Sequence, residues 1–186
     1  MALAGAPSIA RPARGRRCPE GLIAAIRRVV GEHDDWQQTA RQVAVELRRQ
    51  LPGPQILSPE ERRGDPAGYQ SYLLHAEADG SFSIVALVWL PGQVTPIHDH
   101  VTWCVFGVLQ GVEYEEIFAL RRHGTVLVEV ARNANETGEV SGFAPPGDIH
   151  RVRNHGDDVA ISLHVYGADI SRLGSSVRRI YDLPVG

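Results

Sequence analysis

The spacing of hydrophobic residues along the chain changes near residue 69. Before that point, apolar residues recur at the 3.6-residue spacing of helices that bury one face. The two apolar stripes consist of Leu22, Ile23, Ile26, Val29 and Val30 and of Val43, Ala44 and Leu47. We therefore predict a first helix from about Pro19–Glu20, and a second that follows an N-cap at Asp34–Asp35 and ends before Pro52. The prolines of residues 51–68 predict a loop, with one short turn at residues 59–61.

From residue 69 onward, short segments rich in β-branched and aromatic residues alternate with turns that contain Gly, Asp and Asn. We predict eight strands, at residues 69–76, 82–90, 102–109, 112–120, 125–131, 140–143, 150–154 and 160–165. Evenly spaced short strands are typical of antiparallel barrels and jelly rolls. The predicted fold is therefore mainly β, an antiparallel β-barrel of the jelly-roll type with two or three N-terminal helices. We expect residues 171–186 to lie along the barrel.

The length of 186 residues fits one domain. We expect residues 18–186 to form it, and residues 1–17, rich in Ala, Pro, Gly and Arg, to be an unstructured tail. The formal net charge of −3 does not indicate nucleic-acid binding, and no apolar run is long enough to span a membrane. The two cysteines, Cys18 and Cys104, cannot form a disulfide framework, so we expect a cytoplasmic location. The sequence does not indicate an oligomeric state.

The candidate chemistry begins at His98, Asp99 and His100. Side chains two residues apart on a strand point to the same side, so the two histidines would face one point and Asp99 would face away from it. His150, on a separate predicted strand, could close a facial triangle of imidazoles around one metal ion. The alternative interpretation is that these histidines only pack in the core or lie at the surface.

The residues around these histidines resemble the two sequence motifs of the cupin superfamily. The first motif is matched by Gly92, His98, His100 and Gly111, and the second by Pro145, Gly147, His150 and Asn154. Most cupins also place a metal-binding Glu seven residues before the second glycine of the first motif, where this chain has Cys104. Three neutral imidazoles without an anionic ligand would suit Fe(II) that binds an anionic substrate together with O2. Zn(II) is the alternative metal, because three histidines with an open position also suit zinc.

Three further segments resemble the thiol dioxygenases of this superfamily, which include cysteine dioxygenase and 3-mercaptopropionate dioxygenase. These segments are residues 104–111, 147–154 and 162–166, and the resemblance extends over roughly residues 35–182. The resemblance implies that His98, His100 and His150 bind one Fe(II) per chain. It also implies that a small thiol carboxylate reacts with O2 to give a sulfinate.

The resemblance assigns Ser162, His164 and Tyr166 to the Ser-His-Tyr triad of these enzymes. The three residues alternate along one predicted strand and therefore face the same side. The serine hydroxyl could orient the imidazole, which could hold the phenol toward oxygen or a substrate carboxylate. A serine hydrolase is a poor match, because Ser162 and His164 share a strand and no nucleophile elbow or acidic partner is evident. A polar ladder on one face of a strand is the alternative interpretation.

Cys104 and Tyr166 together indicate a possible covalent link. In animal cysteine dioxygenases, which this chain resembles, the matching cysteine forms a thioether with the tyrosine of the triad. This chain has both partners, so the cross-link could form. The alternative is a buried free cysteine that packs as a small hydrophobic residue.

The resemblance also indicates which residues meet the substrate carboxylate. Cysteine-preferring members use an Arg near the start of the first core strand, but the best match here is Gln70, as in 3-mercaptopropionate dioxygenases. Glutamine carries no charge, so a cation must balance the carboxylate. Arg179 is the best match for that cation, with Arg172 and Arg178 as alternatives. We therefore favour 3-mercaptopropionate as the substrate, whereas Cys104 resembles the cysteine-specific enzymes and keeps cysteine as the alternative.

Other classes of protein match parts of this pattern. A non-catalytic cupin would keep the barrel but would not need the polar triad. An isomerase, or a dioxygenase for carbon substrates, would usually retain the acidic ligand that Cys104 replaces. A plant-type thiol dioxygenase that acts on N-terminal cysteine is a closer rival, and its open site accepts a peptide. We expect Asp99 and Asp148 to be structural residues.

Overall fold

The computed structural model describes residues 9–10, 18–32 and 35–186. Helix α1 (Glu20–Glu32) and helix α2 (Trp36–Arg49) confirm the two predicted N-terminal helices. The side chain of Asp35 caps α2, because its carboxylate accepts a hydrogen bond from the backbone N–H of Gln38 at 2.7 Å. No helix within the described ranges combines the length and the apolar composition that crossing a lipid bilayer requires.

The described residues contain eleven β-strands, which overlap all eight predicted strands and add three short ones. The strands are β1 (Ile9–Ala10), β2 (Gln70–Ala76), β3 (Ser83–Trp89), β4 (His98–His100), β5 (Cys104–Gln110), β6 (Val112–Arg121), β7 (Val126–Glu136), β8 (Val140–Phe143), β9 (His150–Arg153), β10 (Ala160–Tyr166) and β11 (Val177–Ile180). A short third helix, α3 (Ile170–Leu173), follows β10. The predicted loop contains two 3₁₀ turns, at Pro54–Ile56 and Glu61–Arg63.

The strands form two sheets. The six-stranded sheet has the order β1-β2-β3-β10-β5-β8, and the five-stranded sheet has the order β11-β4-β9-β6-β7. Strands β5 and β6 are separated only by Gly111. They nevertheless lie in different sheets and do not pair with each other. The mainly β fold is confirmed, although the two sheets do not close into a continuous barrel.

The predicted N-terminal tail lies largely outside the described residues. Of residues 1–17, the structure describes Ile9–Ala10, which pairs in parallel with Ser71 and Tyr72 of β2. Asp34, the first residue of the predicted N-cap pair, also lies outside the described residues. The expectation of an unstructured tail therefore stays a prediction for the other residues.

Side-chain alternation along β10 separates two environments. Leu163 and Val165 belong to the core that the six-stranded sheet shares with the helices, and Leu22 of α1 lies in the same cluster. His164 and Tyr166 point to the opposite side and line a cavity between the two sheets. Every residue of β10 is buried. The strand therefore separates the helical layer from the cavity.

The C-terminal segment is attached to the strand that carries His98 and His100. Strand β11 pairs antiparallel with β4. The buried carboxylate of Asp99 accepts hydrogen bonds from the Arg178 guanidinium and, at 2.7 Å, from the Tyr181 hydroxyl. Burial acts to raise the pKa of Asp99, but these donors hold it below its usual value. Asp99 thus faces away from the two histidines, as predicted, and attaches the C-terminal segment to β4.

A substitution at Gly111 tests how strongly the turn between β5 and β6 constrains the fold. The φ of Gly111, +76°, lies in the left-handed region, and an added Cβ would lie 3.0 Å from both Ala160 Cα and the Val159 carbonyl oxygen. We expect Gly111→Ala to lower the free energy of unfolding by about 2–4 kcal/mol, because backbone strain and steric overlap act together. Urea denaturation measures this loss.

The matched control for this variant is Gly124→Ala. The φ of Gly124 is +85°, but no atom lies within 4 Å of the added Cβ. We expect a smaller loss of about 1–2 kcal/mol, from backbone strain alone. Equal losses in the two variants would show that the close approach at Gly111 does not constrain the fold.

Candidate metal centre

Three buried histidines meet between the two sheets. His98 and His100 lie on β4, and His150 lies on β9 opposite His98 in the strand register. One ring nitrogen of each histidine lies within 4.8 Å of the others, and all three residues are buried. The predicted convergence of His98, His100 and His150 is therefore confirmed as a group that could hold a metal ion.

The Nδ1 atoms of the two histidines on β4 each contact an oxygen acceptor. His98 Nδ1 lies 2.9 Å from the carbonyl oxygen of Pro96. His100 Nδ1 lies 3.1 Å from Asp148 Oδ2. A neutral imidazole that donates from Nδ1 has its lone pair on Nε2, which is the form that a metal ion binds.

His150 is held in the same way from a neighbouring strand. Its Nδ1 lies 2.7 Å from Glu115 Oε1, and the Asn133 amide donates to Glu115 Oε2 at 3.2 Å. The Nε2 atom of His150 is buried and has no hydrogen-bond partner among the described residues. A metal ion would supply the partner that this nitrogen lacks, so the donor set fits one.

Burial favours the neutral form of the two imidazoles on β4. It lowers the pKa of His98 well below its usual value, and the neighbouring histidines act in the same direction. It also lowers the pKa of His100 to about 4, although Asp148 opposes this shift. Both rings are therefore neutral near pH 7 and have a lone pair available for a metal ion.

The predicted Ser-His-Tyr triad lies beside this group. Ser162 Oγ lies 2.9 Å from His164 Nε2, and the Tyr166 hydroxyl lies 3.4 Å from His164 Nδ1. All three side chains are buried. The structure thus brings the triad together as one hydrogen-bonded chain, while its role in catalysis stays a prediction.

Cys104 and Tyr166 are directly paired residues of the neighbouring strands β5 and β10. Burial raises the pKa of both the thiol and the phenol well above their usual values, so both groups are protonated near neutral pH. Cys104 Sγ also lies 3.7 Å from His164 Nδ1. The two partners of the predicted cross-link therefore face each other, and the cross-link itself stays a prediction.

Sequence analysis missed the two carboxylates that hold the histidine rings. Asp148, expected to have only a structural role in a turn, accepts hydrogen bonds from both the backbone N–H and the Nδ1 of His100. Glu115 contacts His150 from β6 across the five-stranded sheet. These contacts join residues 48 and 35 positions apart in the chain, so no local pattern indicates them.

A third carboxylate corrects the statement that the triad has no acidic partner. Glu113 of β6 is buried and accepts a hydrogen bond from Ser162 Oγ. Its Oε1 also lies 3.9 Å from His164 Nε2. The sequence contains one indication of this contact, because Glu113 and Glu115 alternate along a predicted strand and so face the same side. It does not show which other strand lies on that side.

The structure does not bring Gln70 or Arg179 into the cavity wall. Tyr69 and Ser71 line the cavity, and strand alternation turns Gln70 to the other side. There the Gln70 amide donates a hydrogen bond to the Gly68 carbonyl oxygen at 2.9 Å. Arg179 is exposed at the surface.

The alternative arginines also contact other groups. Arg172 pairs with Asp169 at 3.0 Å, and Arg178 pairs with Asp99. The cavity wall, as far as the described residues form it, contains no arginine. The described residues thus show neither Gln70 nor an arginine at the cavity. The predicted contact of Gln70 and Arg179 with a substrate carboxylate stays a prediction.

Two facing, mainly antiparallel sheets around three buried histidines define a cupin with a candidate metal site. Residues 60–175, which are more than half of the chain, match the family model of cysteine dioxygenase type I. The chain therefore belongs to the cysteine dioxygenase type I family. Membership implies a dioxygenase, and the resemblance to thiol dioxygenases seen in the sequence is confirmed.

Several solved structures match part of this chain at low sequence identity. A Thermus thermophilus protein is 20% identical with a TM-score of 0.46, over 60% of this chain and 96% of that one. A Cupin 2 conserved barrel domain protein from Salinispora arenicola is 22% identical with a TM-score of 0.40, over 53% of this chain and 74% of that one. An oxalate oxidase in complex with glycolate is 18% identical with a TM-score of 0.45, over 64% of this chain and 63% of that one.

The hydrogen bond between Glu115 and His150 supplies a test of the metal centre. Glu115→Gln replaces a charged acceptor with a neutral amide, which weakens both the orientation and the basicity of the ring. We expect the affinity for a metal ion to fall about 10–100-fold. Chelator-competition titrations with Zn(II), and with Fe(II) under argon, measure the change.

Glu116→Gln is the matched control for Glu115→Gln. Glu116 is the next residue of the same strand, but it pairs with Arg151 and Arg153 instead of a histidine. We expect this variant to keep the metal affinity of the unmodified protein. Equal affinities in the two variants would contradict the role assigned to Glu115.

Proposed function

We propose that this protein is a non-haem Fe(II) thiol dioxygenase that converts a small mercapto acid into its sulfinate with both atoms of O2. The observation that carries the proposal is a group of three buried histidines, with no carboxylate in the group, in a member of the cysteine dioxygenase type I family. The favoured substrate is 3-mercaptopropionate, and cysteine is the alternative. The proposed stoichiometry is one iron per chain.

The chemistry of the donor set supports iron in this role. Three neutral ligands place no anion directly on a 2+ ion, which leaves its open positions suited to an anionic thiolate or carboxylate. Fe(II) bound by His98, His100 and His150 would supply the redox chemistry that O2 requires, which Zn(II) cannot supply. Asp148 and Glu115 support this role because they hold His100 and His150 by Nδ1 and leave Nε2 directed at the shared position.

The cavity wall would determine how the substrate lies. Val85, Leu87 and Val152 form an apolar part of the wall, which suits the methylene carbons of a small mercapto acid. Tyr166 lines the same cavity, and its raised pKa keeps it a neutral phenol. It would therefore act as a hydrogen-bonding group toward the substrate and not as an anion.

Two features favour different thiols. Gln70 matches the position that carries Gln in 3-mercaptopropionate dioxygenases, and the proposal follows this match. Glu113 lines the cavity, and its Oε2 has no hydrogen-bond partner among the described residues. A carboxylate there could accept the ammonium group of cysteine, which 3-mercaptopropionate lacks. Cysteine is therefore the second candidate substrate.

The dioxygenase activity is tested by O2 uptake with Fe(II) supplied. We expect O2 consumed and sulfinate formed in equal amounts, and we expect His100→Ala to abolish both because it removes one ligand. His123→Ala is the control, since His123 is an exposed residue outside the site, and should keep full activity. Full turnover by an iron-free, zinc-loaded sample would refute the proposal.

The choice of substrate is tested by anaerobic titration of the Fe(II) protein with 3-mercaptopropionate and with cysteine. O2 is then admitted, and the product is identified by mass spectrometry. We expect 3-mercaptopropionate to give the higher kcat/KM. A higher kcat/KM with cysteine would reverse the substrate assignment and leave the dioxygenase assignment intact.

The intact mass decides whether Cys104 and Tyr166 are joined. Formation of the thioether removes one hydrogen from each partner, with O2 as the oxidant, so the mass falls by two hydrogens. Peptide mapping must place the loss on the two peptides that contain these residues. An unmodified mass shows that Cys104 is a buried free thiol.

A further inference from the structure

Glu113 is an acidic side chain buried beside the proposed catalytic triad. It is only 1% exposed, and its Oε1 accepts a hydrogen bond from Ser162 Oγ. Its Oε2 is buried without a hydrogen-bond partner among the described residues. The partner of this carboxylate is thus a serine and not an arginine, so its effect passes into the hydrogen-bond chain of the triad.

The hydrogen bond between Ser162 and Glu113 determines which atoms of the triad carry hydrogen. The Ser162 hydroxyl donates to Glu113 Oε1, so its hydrogen points to Glu113. Ser162 Oγ, which lies 2.9 Å from His164 Nε2, must then accept from that nitrogen. An imidazole that carries one hydrogen has it on Nε2 in this arrangement, so Nδ1 of His164 is left as an acceptor.

The groups around His164 Nδ1 fit this assignment. The Tyr166 hydroxyl lies 3.4 Å from that nitrogen and the Cys104 thiol 3.7 Å from it. Both groups are protonated and can donate to it.

We propose that Glu113 is a positioning residue that sets the direction of the hydrogen bonds through Ser162 and His164. In this direction Tyr166 donates its hydrogen to His164 and presents the lone pairs of its oxygen to the cavity. Without the carboxylate, Ser162 would donate to His164 Nε2, the ring hydrogen would move to Nδ1, and Tyr166 would donate into the cavity.

The direction matters for the substrate, and this consequence rests on the proposed thiol dioxygenase function. Phenol lone pairs accept the hydrogen of an ammonium group, whereas a phenol O–H donates to a carboxylate. Glu113 therefore makes Tyr166 complementary to the ammonium group of cysteine, the second candidate substrate, and not to a carboxylate. A role in folding alone would not require either direction.

The tautomer of His164 tests the proposal without turnover. Two-bond ¹H–¹⁵N correlation spectra are recorded on the full chain labelled with ¹⁵N-histidine, first after chelator treatment and then loaded with diamagnetic Zn(II). The chain has eight histidines, and the signals of His164 are those missing in His164→Gln. We expect hydrogen on Nε2 and none on Nδ1. Hydrogen on Nδ1 in the unmodified protein would overturn the proposal.

Variants at Glu113 test the cause of the tautomer. Glu113→Met removes the acceptor and keeps the length of the side chain, so we expect the hydrogen of His164 to move to Nδ1. Glu113→Leu removes the same acceptor with a shorter side chain and serves if the first variant does not fold. Hydrogen that stays on Nε2 in a folded variant would overturn the proposal.

The matched control is Glu61→Met. Glu61 is another buried acid that accepts a hydrogen bond from a serine hydroxyl, that of Ser58, at 3.1 Å, and it does not line the cavity. We expect its variant to leave the tautomer of His164 unchanged, and a change there would count against a specific role of Glu113. Because these spectra need no sulfinate formation, failure of this inference and failure of the proposed function are distinguishable.

Discussion

Three imidazoles can be buried side by side only if each ring has an acceptor for the hydrogen on one nitrogen. A buried donor without a partner costs about 1–3 kcal/mol. Here a backbone carbonyl and two carboxylates, those of Asp148 and Glu115, supply the acceptors. Because every acceptor is on Nδ1, every Nε2 is left for the shared position. The hydrogen bonds that allow the three rings to be buried thus also orient them for a metal ion.

Because each ring needs its acceptor, the site can form only when the five-stranded sheet has assembled. Glu115 lies on β6 and reaches His150 on β9, while His98 on β4 pairs with β9 from the other side. The edge strand β11 is held to β4 through the buried Asp99. No single segment contains the ligands and their acceptors together, so the site exists only once these strands have paired.

The six-stranded sheet contributes the other half of the cavity, with a different kind of polar group. Tyr166 and His164 project from a strand whose opposite face belongs to the apolar core. Glu113 reaches them from the five-stranded sheet through Ser162. A buried acid without a cationic partner lowers stability unless hydrogen bonds compensate it. The hydrogen bond from Ser162 supplies part of that compensation.

The helices and strands of this protein, and the side chains that share one face of a helix or strand, could be predicted from its sequence, because helix and strand periodicity are local properties. The 3.6-residue stripes located α1 and α2, and alternation placed His98 with His100 and Ser162 with Tyr166. The same local rule could not predict which side of β2 faces the cavity, and the side chain of Gln70 lies on the other side of that strand. The acceptors of His100, His150 and Ser162 lie 48, 35 and 49 residues away in the chain. Only the pairing of strands across two sheets decides such contacts, because a hydrogen bond depends on a distance in space and not on spacing along the chain.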